Sequence, residues 1–278
     1  MPKTIRAACL IGWPVRQSRS PLIHGYWLRQ HGLEGDYRRE AVRPDDFPDF
    51  LAHLAERGYV GGNVTMPHKD MALKLSAPDE RALAVGAANT LWLENGTLKS
   101  TNTDVEGFIA ALDESAPGWD QGLQKAVVIG AGGTARAVVY GFIERGVPAI
   151  HVVNRTLAKA ETFERFGPSV VPTPFDDLPR ALEEAGLVAN ATSLGMAGSP
   201  ELEVDLSPMR ADAVAADAIY VPLETALLKA ARARGMRTSD GLGMLLHQAL
   251  RGFELWFGVR PKVTEELRAL VEAELLKT

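Results

Sequence analysis

Lys125-Ala126-Val127-Val128-Ile129-Gly130-Ala131-Gly132-Gly133-Thr134-Ala135 is the stretch that decides how this chain folds. A short β-branched run feeds a glycine turn, helix-forming residues follow as far as Arg145, and a second apolar run occupies residues 149–153. Strand, glycine turn, helix and strand make the unit from which parallel sheets covered by helices are built. In Gly130-x-Gly132-x-x-Ala135 the first glycine permits a tight turn. The second leaves room for a pyrophosphate, and the small third residue lets the helix pack close to the strand. The N–H groups of the helix start then face the phosphates. Gly130, Ala131, Gly132, Gly133, Thr134 and Ala135 are therefore expected to form a nucleotide site.

The strand after that helix selects the nucleotide. About 20 residues beyond the glycines such a strand usually ends in Asp or Glu, which binds a ribose 2′-hydroxyl. Here it ends in Asn154-Arg155-Thr156, with Lys159 one helical turn further on. A carboxylate would repel a 2′-phosphate, whereas a guanidinium fork can grip one. The expected cofactor is NADP rather than NAD, unless Arg155 and Lys159 merely open a solvated helix.

Further apolar runs at residues 187–191 and 214–219 extend this unit, and a helical tail at 242–276 closes the chain. Towards the N-terminus the pattern again alternates. An apolar run begins at Arg6, helix-like segments follow at 21–30 and 47–57, and strands at 37–42 and 60–65. After a helical stretch at 79–85, residues 90–93 and 97–99 flank Asn95-Gly96, a hairpin signature. The expected fold is α/β with two α/β domains. Residues 1–104 and 240–278 form a substrate domain, to which the C-terminal helices return, and 105–239 form a Rossmann-type NADP-binding domain.

Composition narrows the partners. With 278 residues and 46% hydrophobic content the chain can build real cores. Its net charge of -5, with both signs interspersed, offers no basic face for nucleic acid. Cys9, the only cysteine, excludes an internal disulfide and fits a reducing compartment or a buried thiol. The apolar run at 7–13 is too short to cross a bilayer. A cytoplasmic protein with a small-molecule substrate is expected, as monomer or homodimer. No metal is expected, because His24, His31, His53, His68, His151 and His247 lack ligand spacing with Cys or acidic residues.

Several polar segments sit where strands end, the edge at which open α/β sheets bind ligands. Ser18 and Ser20 precede a helix. Ser20 before Pro21 reads as an N-cap, and the pair can equally bind a carboxylate. Lys69, closing Asn63-Val64-Thr65-Met66-Pro67-His68-Lys69, has nothing in its neighbourhood that distinguishes it from a surface lysine. Asn89-Thr90 and Asn102-Thr103-Asp104 add polar clusters, yet Asp104 can simply cap the helix that follows.

Together these segments resemble the shikimate dehydrogenase family over essentially the whole chain. The substrate-side motifs are Gly12-x-Pro14 with Ser18-x-Ser20-Pro21, Asn63-Val64-Thr65-x-Pro67-x-Lys69, Gly86-Ala87-Ala88-Asn89-Thr90 and Asn102-Thr103-Asp104. Gly130-Ala131-Gly132-Gly133, Asn154-Arg155-Thr156, Asn190-Ala191-Thr192-Ser193-x-Gly195-Met196 and Asp240-Gly241-x-x-Met244-x-x-Gln248 complete the series. The resemblance implies that Ser18 and Ser20 hold a substrate carboxylate. It implies that Thr65, Asn89 and Gln248 bind ring hydroxyls, and that Lys69 and Asp104 are catalytic at the reacting oxygen. Thr192, Tyr220 and Gly241 join the cofactor residues, the last two near the nicotinamide. Gln17, Gly25 and Ser100 depart from the residues the family usually carries, His, Asn and Gly.

The activity so implied is reversible NADPH-dependent reduction of 3-dehydroshikimate to shikimate in aromatic amino acid biosynthesis. Two rivals share the scaffold: a quinate/shikimate dehydrogenase of broader specificity, and a non-catalytic NADP-binding regulator. Arg155 argues against an NAD-preferring relative, and Lys69 with Asp104 argues against a regulator, which has no use for a proton donor.

Overall fold

The structure, a computed structural model, describes residues 6–277. The chain divides into two compact units, one formed by the chain up to Thr103 together with the residues from Gln248 onward, the other by Asp104–His247.

In the first unit the order is β1 (Arg6–Gly12), α1 (Ser20–Gln30), β2 (Gly35–Ala41), α2 (Phe47–Ala52), β3 (Tyr59–Val64), α3 (Lys69–Lys74), β4 (Ala77–Pro78), α4 (Glu80–Val85), β5 (Thr90–Glu94) and β6 (Thr97–Thr101). The six strands lie in the order β2-β1-β3-β5-β6-β4. β1 is buried from Ala7 to Gly12 and pairs in parallel with both β2 and β3, as a central strand covered on both faces must. The β5–β6 hairpin is antiparallel and turns at Asn95 (φ 51°) and Gly96 (φ 77°), the left-handed pair that a type I′ turn requires.

The second unit continues with α5 (Asp104–Ser115), β7 (Lys125–Ile129), α6 (Gly133–Glu144), β8 (Ala149–Asn154), α7 (Leu157–Glu161), β9 (Val170–Pro174), α8 (Leu178–Leu182), β10 (Leu187–Asn190), β11 (Val214–Asp217), α9 (Ala226–Ala233) and β12 (Arg237–Ser239). Its six strands are all parallel, in the order β12-β11-β10-β7-β8-β9, which reverses direction between β7 and β10. Alternate residues of β7 feed two cores. Ala126 and Val128 meet Phe108, Leu112, Val138 and Phe142 from α5 and α6; Val127 and Ile129 meet Leu178, Leu182, Leu227 and Leu228 from α8 and α9.

α10 (Gly241–Phe257) begins in the second unit and ends in the first, followed by α11 (Glu265–Leu275). Trp256 ties this return to the first sheet. Its indole Nε1–H donates to the Leu91 carbonyl at 2.8 Å, and a Cβ on Gly61 would lie 2.4 Å from the same nitrogen. Glycine is thus the residue that lets a tryptophan lie across the strand.

Three local expectations change. The segment 47–57 is helical only to Ala52 and then runs in turns to Gly58, whose φ of +85° an L side chain resists. The helical tail expected at 242–276 is broken into two helices, parted after Gly258 at φ +78°. Arg19, not Ser20, occupies the N-cap of α1; Ser20 is the first helical residue and is buried. The edge strands β9 and β12 carry no strong sequence pattern: β9 holds two prolines, tolerated at an edge, and β12 has only three residues; α9 does carry one, with Leu227, Leu228 and Ala231 buried on one face.

The core of the first unit contains His24, fully buried among Trp27, Tyr37, Phe253 and Trp256, with its ring stacked 4.0 Å from that of Tyr37. Neither ring nitrogen reaches a hydrogen-bond partner at standard geometry, although Asn63 lies near enough to oppose the shift slightly. Burial therefore pushes its pKa from 6.5 down to about 3. The unfolded chain binds this proton first, so His24 favours the folded state fully above pH 6.5 and costs stability as pH falls towards 3. Replacing His24 by Phe should flatten the acid limb. Between pH 6.5 and 5.5 the wild type should lose about 1 kcal/mol more than the variant in urea titrations. Parallel losses in the two proteins would show that His24 does not govern acid sensitivity.

Candidate active site

Gly130 leaves β7 with φ +111°, and a Cβ there would lie 2.7 Å from Thr192 Cγ2 and 3.1 Å from the Ala191 carbonyl oxygen. β10 ends beside it, with the Ala191 N–H donating to the Ile129 carbonyl at 2.8 Å. This is the point where the strand order reverses, and a parallel sheet opens its crevice there. Gly132, the N-cap of α6, differs from Gly130: nothing lies within 4 Å of where its Cβ would stand. Open space at Gly132, with Gly133 and Thr134 opening a 12-residue helix, leaves room at a helix start, where backbone N–H groups favour an anion. Ala135 is fully buried against β7, as close helix–strand packing requires.

At the end of β8 the Asn154 amide Nδ2–H donates to the Thr156 carbonyl at 2.9 Å, folding the chain back and leaving Arg155 and Lys159 exposed. No acid stands at this strand end to repel a phosphate. Thr192 serves the scaffold as well: its N–H and hydroxyl donate to Asn190 Oδ1 at 3.0 and 2.7 Å. Behind it lies Asp217, which sequence reasoning missed. It accepts from Asn190 Nδ2, the Ile219 N–H and the Thr225 hydroxyl at 3.0, 3.0 and 2.7 Å, while burial raises its carboxyl above the ordinary range. Only the side chains' meeting in space reveals this group, since a lone Asp at the end of a strand carries no signal. Tyr220 lies half-buried beyond β11, and Gly241 is obligatory, because a Cβ there would sit 2.4 Å from the Ala218 carbonyl oxygen.

In the first unit the C-terminal ends of β1 and β3 gather the other polar segments. Thr65 N–H donates to the Ile11 carbonyl at 2.9 Å and Trp13 N–H to that of Met66 at 3.1 Å. The Ser18 hydroxyl accepts from the Ser20 N–H and donates to the Ser20 hydroxyl, both at 3.2 Å, while Arg39 grips the Ser18 carbonyl at 2.7 Å. Lys69 begins α3, and its carbonyl receives the Ala88 N–H at 3.0 Å, which sets Asn89 alongside β3. Asn89 Oδ1 accepts from the Thr103 N–H at 2.7 Å, and Thr103 Oγ1 reaches Gln248 Oε1 at 3.5 Å. Ser18, Ser20, Thr65, Lys69, Asn89 and Gln248 thus belong to one unit; Asp104, buried at the start of α5, belongs to the other. Among the described residues no group of three His, Cys, Asp or Glu side chains is arranged to hold a metal, and no helix is long and apolar enough to cross a membrane.

Comparison with known proteins reaches both units. The shikimate dehydrogenase substrate binding domain family matches residues 10–91, the shikimate / quinate 5-dehydrogenase family residues 116–197, and the shikimate 5′-dehydrogenase C-terminal domain family residues 241–272. A shikimate dehydrogenase (NADP(+)) of Rhodopseudomonas palustris strain TIE-1 is 62% identical over 276 residues, 99% of each chain. The chain belongs to the shikimate dehydrogenase family.

Solved structures of the family agree in fold. Quinate dehydrogenase from Corynebacterium glutamicum in complex with NAD is 32% identical with a TM-score of 0.88, over 97% of this chain and 99% of that one. Shikimate 5-dehydrogenase from Thermus thermophilus, in complex with NADP(H) and shikimate, is 32% identical with a TM-score of 0.83, over 98% and 99%.

Two glycines of the nucleotide loop should respond differently to the same change. Gly130→Ala meets a left-handed backbone and the Thr192 methyl, and should lower stability by about 2 kcal/mol in thermal melts. Gly132→Ala meets open space and should cost less than about 1 kcal/mol, yet raise KM for NADP several-fold by occupying that space. A Gly132→Ala protein with unaltered KM would place the dinucleotide elsewhere.

Proposed function

We propose that this chain catalyses the reversible NADPH-dependent reduction of 3-dehydroshikimate to shikimate, a step of aromatic amino acid and chorismate biosynthesis. The observation that carries the reading is the complete set of substrate and cofactor motifs in a chain matched end to end by NADP(+)-named relatives. Gly130, Ala131, Gly132, Gly133, Thr134 and Ala135 hold the pyrophosphate; Asn154, Arg155, Thr156 and Lys159 hold the adenosine side, with Arg155 on the 2′-phosphate. Thr192 joins the cofactor residues, and Tyr220 and Gly241 serve the nicotinamide side. The open space at Gly132 and the acid-free end of β8 support this fit.

Bound NADPH contributes a hydride for the C3 carbonyl of the substrate. The protein's own residues do the rest. Ser18 and Ser20 hold the carboxylate; Thr65, Asn89 and Gln248 hold the ring oxygens, which fixes the carbonyl in one orientation. The Lys69 ammonium stabilises negative charge growing on the C3 oxygen and gives that oxygen a proton, its N–H bond breaking as the O–H bond forms. Asp104 orients Lys69 and a substrate hydroxyl. In the oxidative direction the same lysine takes the proton back. The protein is expected to work in the cytoplasm as a monomer or homodimer, with no nucleic-acid or membrane partner, in keeping with its net charge of -5.

A broader quinate/shikimate activity is the second reading, favoured by Gln17, which stands exposed beside Ser18 where the family usually has His. Initial rates with shikimate and quinate, each with NADP and NAD, separate these readings. Shikimate with NADP should dominate; quinate turnover would select the relative, and inactivity with all four pairs would leave a regulator. Lys69→Met should lower kcat by at least about 100-fold with KM for shikimate nearly kept, and near-normal turnover would remove Lys69 from the chemistry. Arg155→Ala should raise KM for NADP roughly tenfold and leave that for NAD unchanged.

A further inference from the structure

Asn89 sits in front of a buried polar cluster whose hydrogen-bond directions can be worked out atom by atom. An asparagine amide can be turned either way, and only its partners decide. Here an obligate donor decides. The Thr103 backbone N–H points at the Asn89 side chain from 2.7 Å, so the group facing it is the carbonyl oxygen Oδ1 and never the NH₂.

Behind this contact stands Thr90, fully buried. Asn63 faces the Asn89 backbone carbonyl, an obligate acceptor, with its Nδ2 at 3.3 Å, so Asn63 is oriented too. The same Nδ2 donates to Thr90 Oγ1 at 3.0 Å, and Asn63 Oδ1 is left to accept the Tyr37 hydroxyl at 2.6 Å. Having accepted from Asn63, the Thr90 hydroxyl spends its one hydrogen on Asn89 Oδ1 at 3.2 Å or on Thr103 Oγ1 at 3.1 Å. In the second case Thr103 Oγ1, itself 3.2 Å from Asn89 Oδ1, can pass its own hydrogen to that oxygen. Gln248 Oε1 competes for that hydrogen at 3.5 Å, but the shorter contacts, with the fixed Thr103 N–H, engage the Asn89 oxygen on the inner side.

We infer that Thr90 is a positioning residue that, through Asn63 and Thr103, locks the Asn89 amide with its oxygen inward, so that whatever contact the Asn89 side chain makes with a ligand is through N–H. The substrate oxygen held at Asn89 must then present a lone pair, as a hydroxyl or carbonyl does. Thr90 makes no contact with substrate in this scheme; it acts through Asn89. The inference deepens the proposed function and rests on its assignment of Asn89 to the substrate.

The test is a cycle of Thr90→Val, Asn89→Ala and the double variant, with Thr90→Ser as the conservative control. Thr90→Val should raise KM for shikimate roughly tenfold with kcat changed by less than about twofold, and Thr90→Ser should restore most of the loss. In the Asn89→Ala background Thr90→Val should add nothing to KM, because the residue it positions is gone. Multiplying KM effects, or an unchanged KM in Thr90→Val, would overturn the inference. If valine is not tolerated, Thr90→Ala removes the same hydroxyl. Urea midpoints of the same four ligand-free proteins supply a readout that needs no activity. Non-additive losses support the locked amide even if shikimate is not a substrate, in which case only the assigned activity falls; additive losses overturn the lock whatever the activity.

Discussion

Backbone N–H and C=O groups that leave a parallel sheet inside a protein must find partners, and the first unit is organised by how it meets that demand. At the ends of β1 and β3 the Thr65 N–H returns to the Ile11 carbonyl, the Trp13 N–H to Met66, the Val64 N–H to Asn89 and the Ala88 N–H to Lys69. These bonds join loops far apart in sequence into one edge. Thr65, Lys69 and Asn89 come together because the backbones that carry them are paired in this way.

The second unit meets the same demand with glycine and small residues. Gly130, at φ +111°, brings β7 against the Thr192 methyl, and Gly241 passes under the Ala218 carbonyl where any side chain would collide. Asp217, buried and bonded to Asn190, Ile219 and Thr225, fixes the loop that carries Thr192. Rigidity here is local and polar, set on an all-parallel sheet whose two cores are filled by alternate residues of a single strand.

Much of this was legible in the residues. Lys125–Ile129 and its glycines announce the strand, turn and helix because tight turns and close packing admit few residue types. The Asn95-Gly96 hairpin is equally plain, since a type I′ turn needs two left-handed residues. Segment 47–57 misleads because its apolar spacing continues past Ala52 although the helix does not; Leu54 N–H turns back to Leu51 in a tighter turn before Gly58. Ser20 looks like a cap, yet its hydroxyl is engaged with Ser18 and the residue is buried at the start of α1.

By itself the sequence determined the α/β class, the nucleotide loop, the absence of an acid at the end of β8, and the family, since these rest on local chemistry: which residues can make a turn, cap a helix or accept a phosphate. Only the tertiary structure decided which way the polar groups face. Asn63, Thr90 and Thr103 lie apart in the chain, and nothing in their spacing says that a backbone N–H will turn the Asn89 amide; that follows from the burial of all four, where a hydrogen-bonding group left without its proper partner costs too much to persist. His24 makes the same point from the other side, because a histidine's proton affinity is set by the aromatic rings that fold around it and not by its neighbours in sequence.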